Sequence, residues 1–87
     1  MAFLLKYEPR FFKEAVGIPI HDLTRIKTHL EALAQSVRSF SHLPLKEARF
    51  RGIYRLRVGD RRVFYFIDWK LEEITILSVK HRSEAYR

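Results

Sequence analysis

Hydrophobic residues recur with two different periods along the chain, and the change of period separates extended from helical segments. Phe3, Leu5 and Tyr7 occupy every second position, which predicts a first strand. Pro9 favours the start of a short helix, since a proline at the first helical position loses no hydrogen bond. Gly17 allows a left-handed backbone that ends this helix. Its predicted inner face consists of Phe12, Ala15 and Val16.

A second helix is predicted from a longer apolar stripe with spacings of three and four residues. The stripe is typical of a helix packed on a sheet, with a dimer seam as the alternative. Residues 38–48, rich in polar residues, are predicted to form a loop. The residues of the stripe are Leu23, Ile26, Leu30, Leu33 and Val37.

From Phe50 onward the period returns to two, and turn residues divide the segment into three strands. Gly59-Asp60 predicts a two-residue hairpin loop with glycine first, and residues 70–72 predict a second turn. The sequence therefore predicts an α+β domain covering residues 1–87. Its order is strand, helix, helix and a three-stranded antiparallel meander, with the helices packed on one face of the sheet.

The predicted hairpin loop fixes which residues lie opposite each other. Arg57 then pairs with Arg62, and Arg55 pairs with Phe64, on a face that also carries Arg51. Like charges on a cross-strand pair are unfavourable, so a phosphate bound between the two guanidinium groups is a natural reason for the pair. Exposed, unrelated arginines are the alternative. The opposite face, predicted to lie under the helices, consists of Tyr54, Leu56, Val63 and Tyr65.

Composition narrows the possible functions. With 87 residues, 47% of them hydrophobic, the chain is large enough to fold and too small for a Rossmann unit, a kinase or a barrel enzyme. It has no cysteine, no apolar run that would span a membrane and no pattern of a signal peptide, so a cytoplasmic protein is expected.

The net charge of +7 is concentrated in two segments. Residues 49–62 hold six arginines and one acidic residue, and residues 80–87 add a net charge of +2. A concentrated basic excess predicts a polyanionic partner; a solvated basic surface is the alternative. Phe64, beside the arginines, offers a ring on which a base can stack.

The last strand and the residues after it supply further candidates for the same site. Lys80 and His81 compete for the position nearest Arg62, because the preceding loop leaves the register open. Arg82 and Tyr86 follow and are expected at the rim of the patch. The four histidines lack Cys or carboxylate partners at ligand spacing, so neither a metal nor another cofactor is expected.

Two runs carry a resemblance to a known family. FRGIYRLRVGDRRVFY at residues 50–65 and VKHRSEAYR at residues 79–87 resemble the RelE/ParE superfamily of toxins from toxin–antitoxin systems, and its RelE-like branch in particular. The family often has a tyrosine where this chain has Arg61. The resemblance implies a metal-independent, ribosome-dependent endoribonuclease (an mRNA interferase) that cuts messenger RNA and inhibits translation.

The resemblance also implies roles for individual residues. Arg57 and Arg62 would stabilise the charge of the transition state, and Arg82 or Lys80 would assist the leaving oxygen. Arginine stays protonated and is a poor base, so Tyr86 becomes the candidate general base. Catalytic candidates are thus Arg57, Arg62, Arg82 and Tyr86, and RNA-binding candidates are Arg51, Arg55, Arg61, Phe64, Lys80 and His81.

Implied partners are the ribosome, messenger RNA and a small RelB-like antitoxin that is acidic where it meets the basic patch. A membrane partner is not expected. Two other functions stay open at this point. One is a ParE-like toxin that inhibits gyrase without nuclease activity, and the other is a non-catalytic nucleic-acid-binding relic.

Overall fold

The computed structural model of the chain describes residues 2–44 and 52–85, which fold into a five-stranded sheet with helices. The strands are β1 (Leu4–Tyr7), β2 (Leu43–Pro44), β3 (Ile53–Val58), β4 (Arg61–Asp68) and β5 (Glu73–His81), in the order β1-β5-β4-β3-β2. β1 runs parallel to β5, and the other neighbours are antiparallel. The helices are α1 (Pro9–Ala15), α2 (Ile20–Gln35) and α3 (Arg82–Ala85), with a 3-10 turn at Val37–Ser39.

The predicted α+β class and the order of the main elements are confirmed. The predicted loop at 38–48 was wrong in part, because Leu43 and Pro44 pair with Arg55 and Tyr54 at the edge of β3. A two-residue strand leaves no periodic signal in a sequence. No helix within residues 2–44 or 52–85 has the length and apolar character needed to cross a membrane.

The apolar stripe of α2 packs into the core as predicted. Ile26, Leu30 and Leu33 are fully buried, and Val37 continues the stripe in the 3-10 turn. On the sheet they meet a cluster that includes Val63 and Tyr65. Each fully buried aliphatic side chain contributes about 1.5–3 kcal/mol, so this helix is a main source of stability.

The predicted inner face of α1 was wrong in part, since Ala15 packs against the core and the other two residues do not. Phe11 is buried, whereas Phe12 and Val16 are exposed. Phe11 and Ala15 share a face because they lie four residues apart, and the Phe11 ring packs against Tyr7 with ring centroids 5.1 Å apart. Two adjacent phenylalanines in a helix of two turns leave its rotation undetermined from sequence alone.

The hairpin between β3 and β4 has the predicted register. Arg57 lies opposite Arg62, and Val58 lies opposite Arg61. Gly59 has φ = 59°, and Asp60 is not among the described residues with positive φ, as expected for a two-residue turn with glycine first. The alternation that places Leu56 and Val63 in the core therefore places Arg57 and Arg62 on the opposite face.

The pairing of β4 with β5 contains an irregularity that the sequence did not predict. The register shifts between Phe64 and Tyr65, so that Phe64 lies opposite Ser78 and Tyr65 lies opposite Ile76. Leu77 is the extra residue of this bulge and is half-buried. After the bulge, Lys80 lies directly opposite Arg62.

Candidate phosphate-binding site

Three basic residues form a row across three neighbouring strands at one end of the sheet. Arg57 of β3 lies opposite Arg62 of β4, which lies opposite Lys80 of β5. Adjacent strands are about 4.8 Å apart, so the row extends roughly 10 Å. This pairing decides between the two late candidates, since Lys80 and not His81 is the partner of Arg62. We call Arg57, Arg62 and Lys80 the basic row.

Burial differs sharply along the basic row. Arg57 is exposed, whereas Arg62 has only 4% of its surface exposed. Arg62 Nη1 donates hydrogen bonds to the carbonyl oxygens of Gly59 at 3.1 Å and Arg61 at 3.0 Å. The sequence predicted a pair of arginines that binds phosphate, with exposed, unrelated arginines as the alternative. The structure has a fixed, largely desolvated Arg62 beside an exposed Arg57. A charge in a low-dielectric setting acts more strongly on a nearby phosphate.

A carboxylate from α1 reaches the third member of the row. Glu14 forms an ion pair with Lys80, and its Oε1 accepts hydrogen bonds from Ser78 Oγ at 2.7 Å and from the Val79 N–H at 3.3 Å. Burial acts to raise the pKa of Glu14, but the bonds from Lys80, Ser78 and Val79 outweigh it and hold the pKa below its ordinary value of 4.5. Glu14 is therefore a carboxylate at neutral pH.

Aromatic residues lie on the same face, further along β4. Phe64, opposite Arg55, is half-buried, and Phe66 is 40% exposed. The sequence analysis selected Phe64 and missed Phe66. The signal was available, since residues two apart on a strand share a face. Phe66 is the more accessible ring for stacking.

Two of the RNA-binding candidates lie on the other face of the sheet. Arg61 and His81, which pair across β4 and β5, line a pocket of about 200 Å³ together with Asp22 and Arg25 of α2. The Ser83 N–H donates to His81 Nδ1 at 3.3 Å. Arg61 and His81 are the sequence neighbours of Arg62 and Lys80, but they lie on the opposite face of the sheet from the basic row.

Arg82 lies at the tip of the hairpin. Its backbone N–H donates to the Asp60 carbonyl oxygen at 2.7 Å, and its Nε lies 3.8 Å from Asp60 Oδ1. Asp60 thus holds the start of α3 against the end of the sheet. The candidates Tyr86 and Arg51 lie outside the described residues.

The described part of the chain contains no group of three His, Asp or Glu side chains arranged to hold a metal ion. Among the described residues, the acidic side chain in contact with the basic row is Glu14, which forms an ion pair with Lys80. Chemically, the row can bind and polarise an anion with a tetrahedral centre, such as a phosphodiester.

Comparison with known proteins places this geometry in a family. The sequence profile of the ParE toxin of type II toxin–antitoxin systems, parDE, matches residues 7–86. The chain belongs to this toxin family. It is the toxin component of a toxin–antitoxin system within the RelE/ParE superfamily. No curated protein sequence matches the chain.

Solved structures of RelE toxins have the same fold as this ParE-family chain. A chain of the RelE–RelB complex from Pyrococcus horikoshii is 27% identical, with a TM-score of 0.77 over 98% of this chain and 100% of that one. A chain of a RelBE complex from Mycobacterium tuberculosis is 20% identical, with a TM-score of 0.81 over 94% and 100%. The isolated Escherichia coli RelE toxin is 21% identical, with a TM-score of 0.76 over 98% and 92%.

Besides Phe66, sequence reasoning missed Glu14 and Asp60 at the candidate site of this toxin. Each acts on a basic residue that is distant in sequence, Glu14 on Lys80 and Asp60 on Arg82. Pairings of this kind depend on tertiary packing, and an isolated acidic residue on a helix or in a turn gives no signal for them.

Proposed function

We propose that this toxin is a metal-independent endoribonuclease that cuts messenger RNA on the ribosome and thereby inhibits translation. The observation that carries the proposal is the basic row, in which the exposed Arg57, the buried Arg62 and the half-buried Lys80 occupy adjacent positions on three strands. Such a concentration of positive charge suits a phosphodiester whose negative charge increases during reaction.

The proposed reaction is an internal transfer at phosphorus. The 2′-oxygen of a ribose attacks the adjacent phosphorus, a bond to it forms, and the bond from phosphorus to the 5′-oxygen breaks. The 2′-hydroxyl proton passes to a base and the leaving 5′-oxygen gains a proton, which gives a 2′,3′-cyclic phosphate and a 5′-hydroxyl. Such chemistry involves no oxidation and no metal, and it excludes DNA because DNA lacks the 2′-hydroxyl.

In this proposal the residues have different tasks. Arg57 and Arg62 bind the phosphate oxygens and stabilise the added charge in the transition state. Lys80 or Arg82 assists the leaving oxygen, and Tyr86 is the base. Contacts with the remainder of the RNA are assigned to Arg51, Arg55 and Phe64. Arg61 and His81 were candidates for this role from the sequence, but they lie on the opposite face of the sheet and are left out of it.

The proposed partners follow from the proteins with similar folds. Several of these are complexes, RelE with RelB and YafQ with DinJ. By analogy, this toxin binds a cognate antitoxin that is acidic where it meets the basic row. The ribosome and its message are the proposed substrate complex, in the cytoplasm.

A second candidate function has a specific observation in its favour. The matching family profile is that of ParE, and ParE members are not nucleases. In that case the basic face would bind a protein or DNA, and gyrase inhibition would replace RNA cleavage. The two candidates differ in whether the toxin breaks a phosphodiester bond.

The test is a cleavage assay with purified ribosomes programmed with a defined message. We expect the wild type to leave a 2′,3′-cyclic phosphate, or the 3′-phosphate formed from it, and a 5′-hydroxyl. Tyr86→Phe removes only the phenolic hydroxyl and should slow the reaction at least roughly tenfold if that hydroxyl is the base. Intact message combined with inhibition of DNA supercoiling would favour the gyrase candidate instead.

A further inference from the structure

Glu14 contacts the basic row through Lys80, and its side chain is held by contacts with β5. Its side chain is 15% exposed and is held from three directions by Ser78, Val79 and Lys80. Arg10 lies one turn earlier in α1, and its Nε is 3.8 Å from Glu14 Oε2, the oxygen that also pairs with Lys80. Two of these contacts, from Ser78 Oγ and Val79 N–H, attach the carboxylate to β5 independently of Lys80.

A carboxylate beside a proposed phosphate site has three possible roles, and the contacts separate them. A general base needs a free lone pair and a pKa near the working pH. Glu14 has a lowered pKa and accepts several hydrogen bonds, so it is poorly suited to remove a proton. A simple neutralising charge would not need anchoring to β5. The anchoring fits a third role, in which the carboxylate sets the position of the ammonium group.

We propose that Glu14 is a positioning residue that fixes the Lys80 ammonium at its end of the basic row, a role that rests on the proposed nuclease function. Lysine has a long flexible stem, and two guanidinium groups in the same row repel its charge. Without a fixed counter-charge, the ammonium samples many positions. With Glu14 in place, the ammonium keeps one position before the substrate binds.

The positioning role and the net charge predict opposite effects of removing the Glu14 carboxylate. Removing a negative charge beside a phosphate site favours RNA binding. Loss of positioning instead lowers the rate of the chemical step. We therefore expect Glu14→Gln to bind a non-cleavable message, with 2′-deoxyribose at the cut site, as tightly as the wild type or more tightly. Its single-turnover cleavage rate should fall about tenfold.

The experiment is a double-mutant cycle on programmed ribosomes with Glu14→Gln, Lys80→Ala and the double variant. Glutamine retains an oxygen that accepts from Ser78 and Val79, so the fold is preserved. If Glu14 acts through Lys80, the double variant cleaves at the same rate as Lys80→Ala. The matched control is Glu8→Gln, which removes an exposed carboxylate at the start of α1 and should leave the rate unchanged.

A second measurement keeps this proposal separate from the nuclease proposal. The acylation rate of Lys80 by an amine-reactive reagent, relative to exposed Lys27, should rise several-fold in Glu14→Gln. Cleavage equal to wild type in Glu14→Gln, or rate losses that add in the double variant, would overturn the positioning role. If the wild type does not cleave at all, the nuclease proposal fails. The acylation rate of Lys80 then decides whether Glu14 positions this side chain. Increased reactivity supports the positioning of Lys80, and unchanged reactivity refutes it.

Discussion

Tyr65 links the sheet to His42, in the segment after α2, through a partly buried hydrogen bond. Its ring is fully buried, and its hydroxyl lies 2.6 Å from His42 Nδ1. His42 Nε2 lies 2.8 Å from the Val37 carbonyl oxygen, which can only accept, so Nε2 carries the proton and Nδ1 accepts from Tyr65. Burial, followed by the nearby Tyr54, raises the pKa of Tyr65, which keeps the phenol protonated as this bond requires.

We predict that Tyr65→Phe destabilises the fold by about 1–3 kcal/mol, because it leaves His42 Nδ1 without its donor. Urea unfolding at neutral pH measures the effect. Tyr54→Phe is the matched control, since it removes a hydroxyl from a half-buried ring in the same aromatic cluster. Equal losses in the two variants would show that the bond to His42 has no special importance.

Glu14 predicts a specific dependence of stability on pH. Because its pKa is lower in the folded protein than its ordinary value of 4.5, its stabilising contribution is complete above that pH. The contribution is lost as the pH falls through the folded pKa. The difference in free energy of unfolding between wild type and Glu14→Gln should therefore be largest near neutrality and shrink below pH 4.5. A difference that stays constant down to pH 2 would contradict this.

At the level of residues, the sequence predicted that Arg57 and Arg62 share a face, but it left open whether Lys80 or His81 joins them and did not predict their surroundings. Alternation and the Gly59-Asp60 turn were enough to align Arg57 with Arg62. The burial of Arg62 and the pairing of Lys80 with Glu14 depend on contacts between distant segments. Periodicity carries no information on such contacts.

The β3–β4 hairpin is the element that aligns the basic row, and Gly59 is its critical residue. Its φ of 59° is in the left-handed region that favours glycine, and an added Cβ would lie 3.3 Å from Arg25 Nη1. The arginine is a flexible neighbour, so backbone strain is the larger effect.

We predict that Gly59→Ala destabilises the fold by roughly 1–2 kcal/mol through this backbone strain. Thermal and urea unfolding provide the measurement. Asp60→Ala at the next position has no comparable strain and should lower stability less. An alanine variant as stable as the wild type would mean that the turn does not require the left-handed conformation.

Elements with a long, regular pattern were predictable, and short or irregular ones were not. The stripe of α2 extends over several turns, and the hairpin has both its strands and its turn residues in one continuous segment. The two-residue β2, the rotation of α1 and the bulge at Leu77 each depend on one or two residues. Tertiary packing decided these, so the expectations for residues 38–48 and for α1 were wrong in part, and the bulge was not predicted.

At the scale of the whole molecule, the sheet separates the basic row from the pocket of Arg61 and His81. If the basic row binds the RNA backbone, each lost phosphate contact reduces the dependence of affinity on salt. For single-stranded RNA we expect Arg57→Ala to reduce the slope of log affinity against log salt concentration by roughly 0.7. Lys27→Ala, on the exposed face of α2, should leave the slope unchanged. Equal changes in both variants would indicate diffuse binding by net charge.

The proposal that the basic row of this toxin cleaves messenger RNA is tested most directly by comparing how fast wild type and Arg62→Ala cut the message on programmed ribosomes. Lys27→Ala is the control, because it removes the same charge elsewhere. We expect wild type and Lys27→Ala to cut the message at the same rate, and Arg62→Ala to be slower by at least about tenfold, equivalent to roughly 1.4 kcal/mol of barrier. Circular dichroism and urea unfolding must show that Arg62→Ala is folded. Intact message with the wild type, or equal cutting by folded Arg62→Ala, would contradict the account.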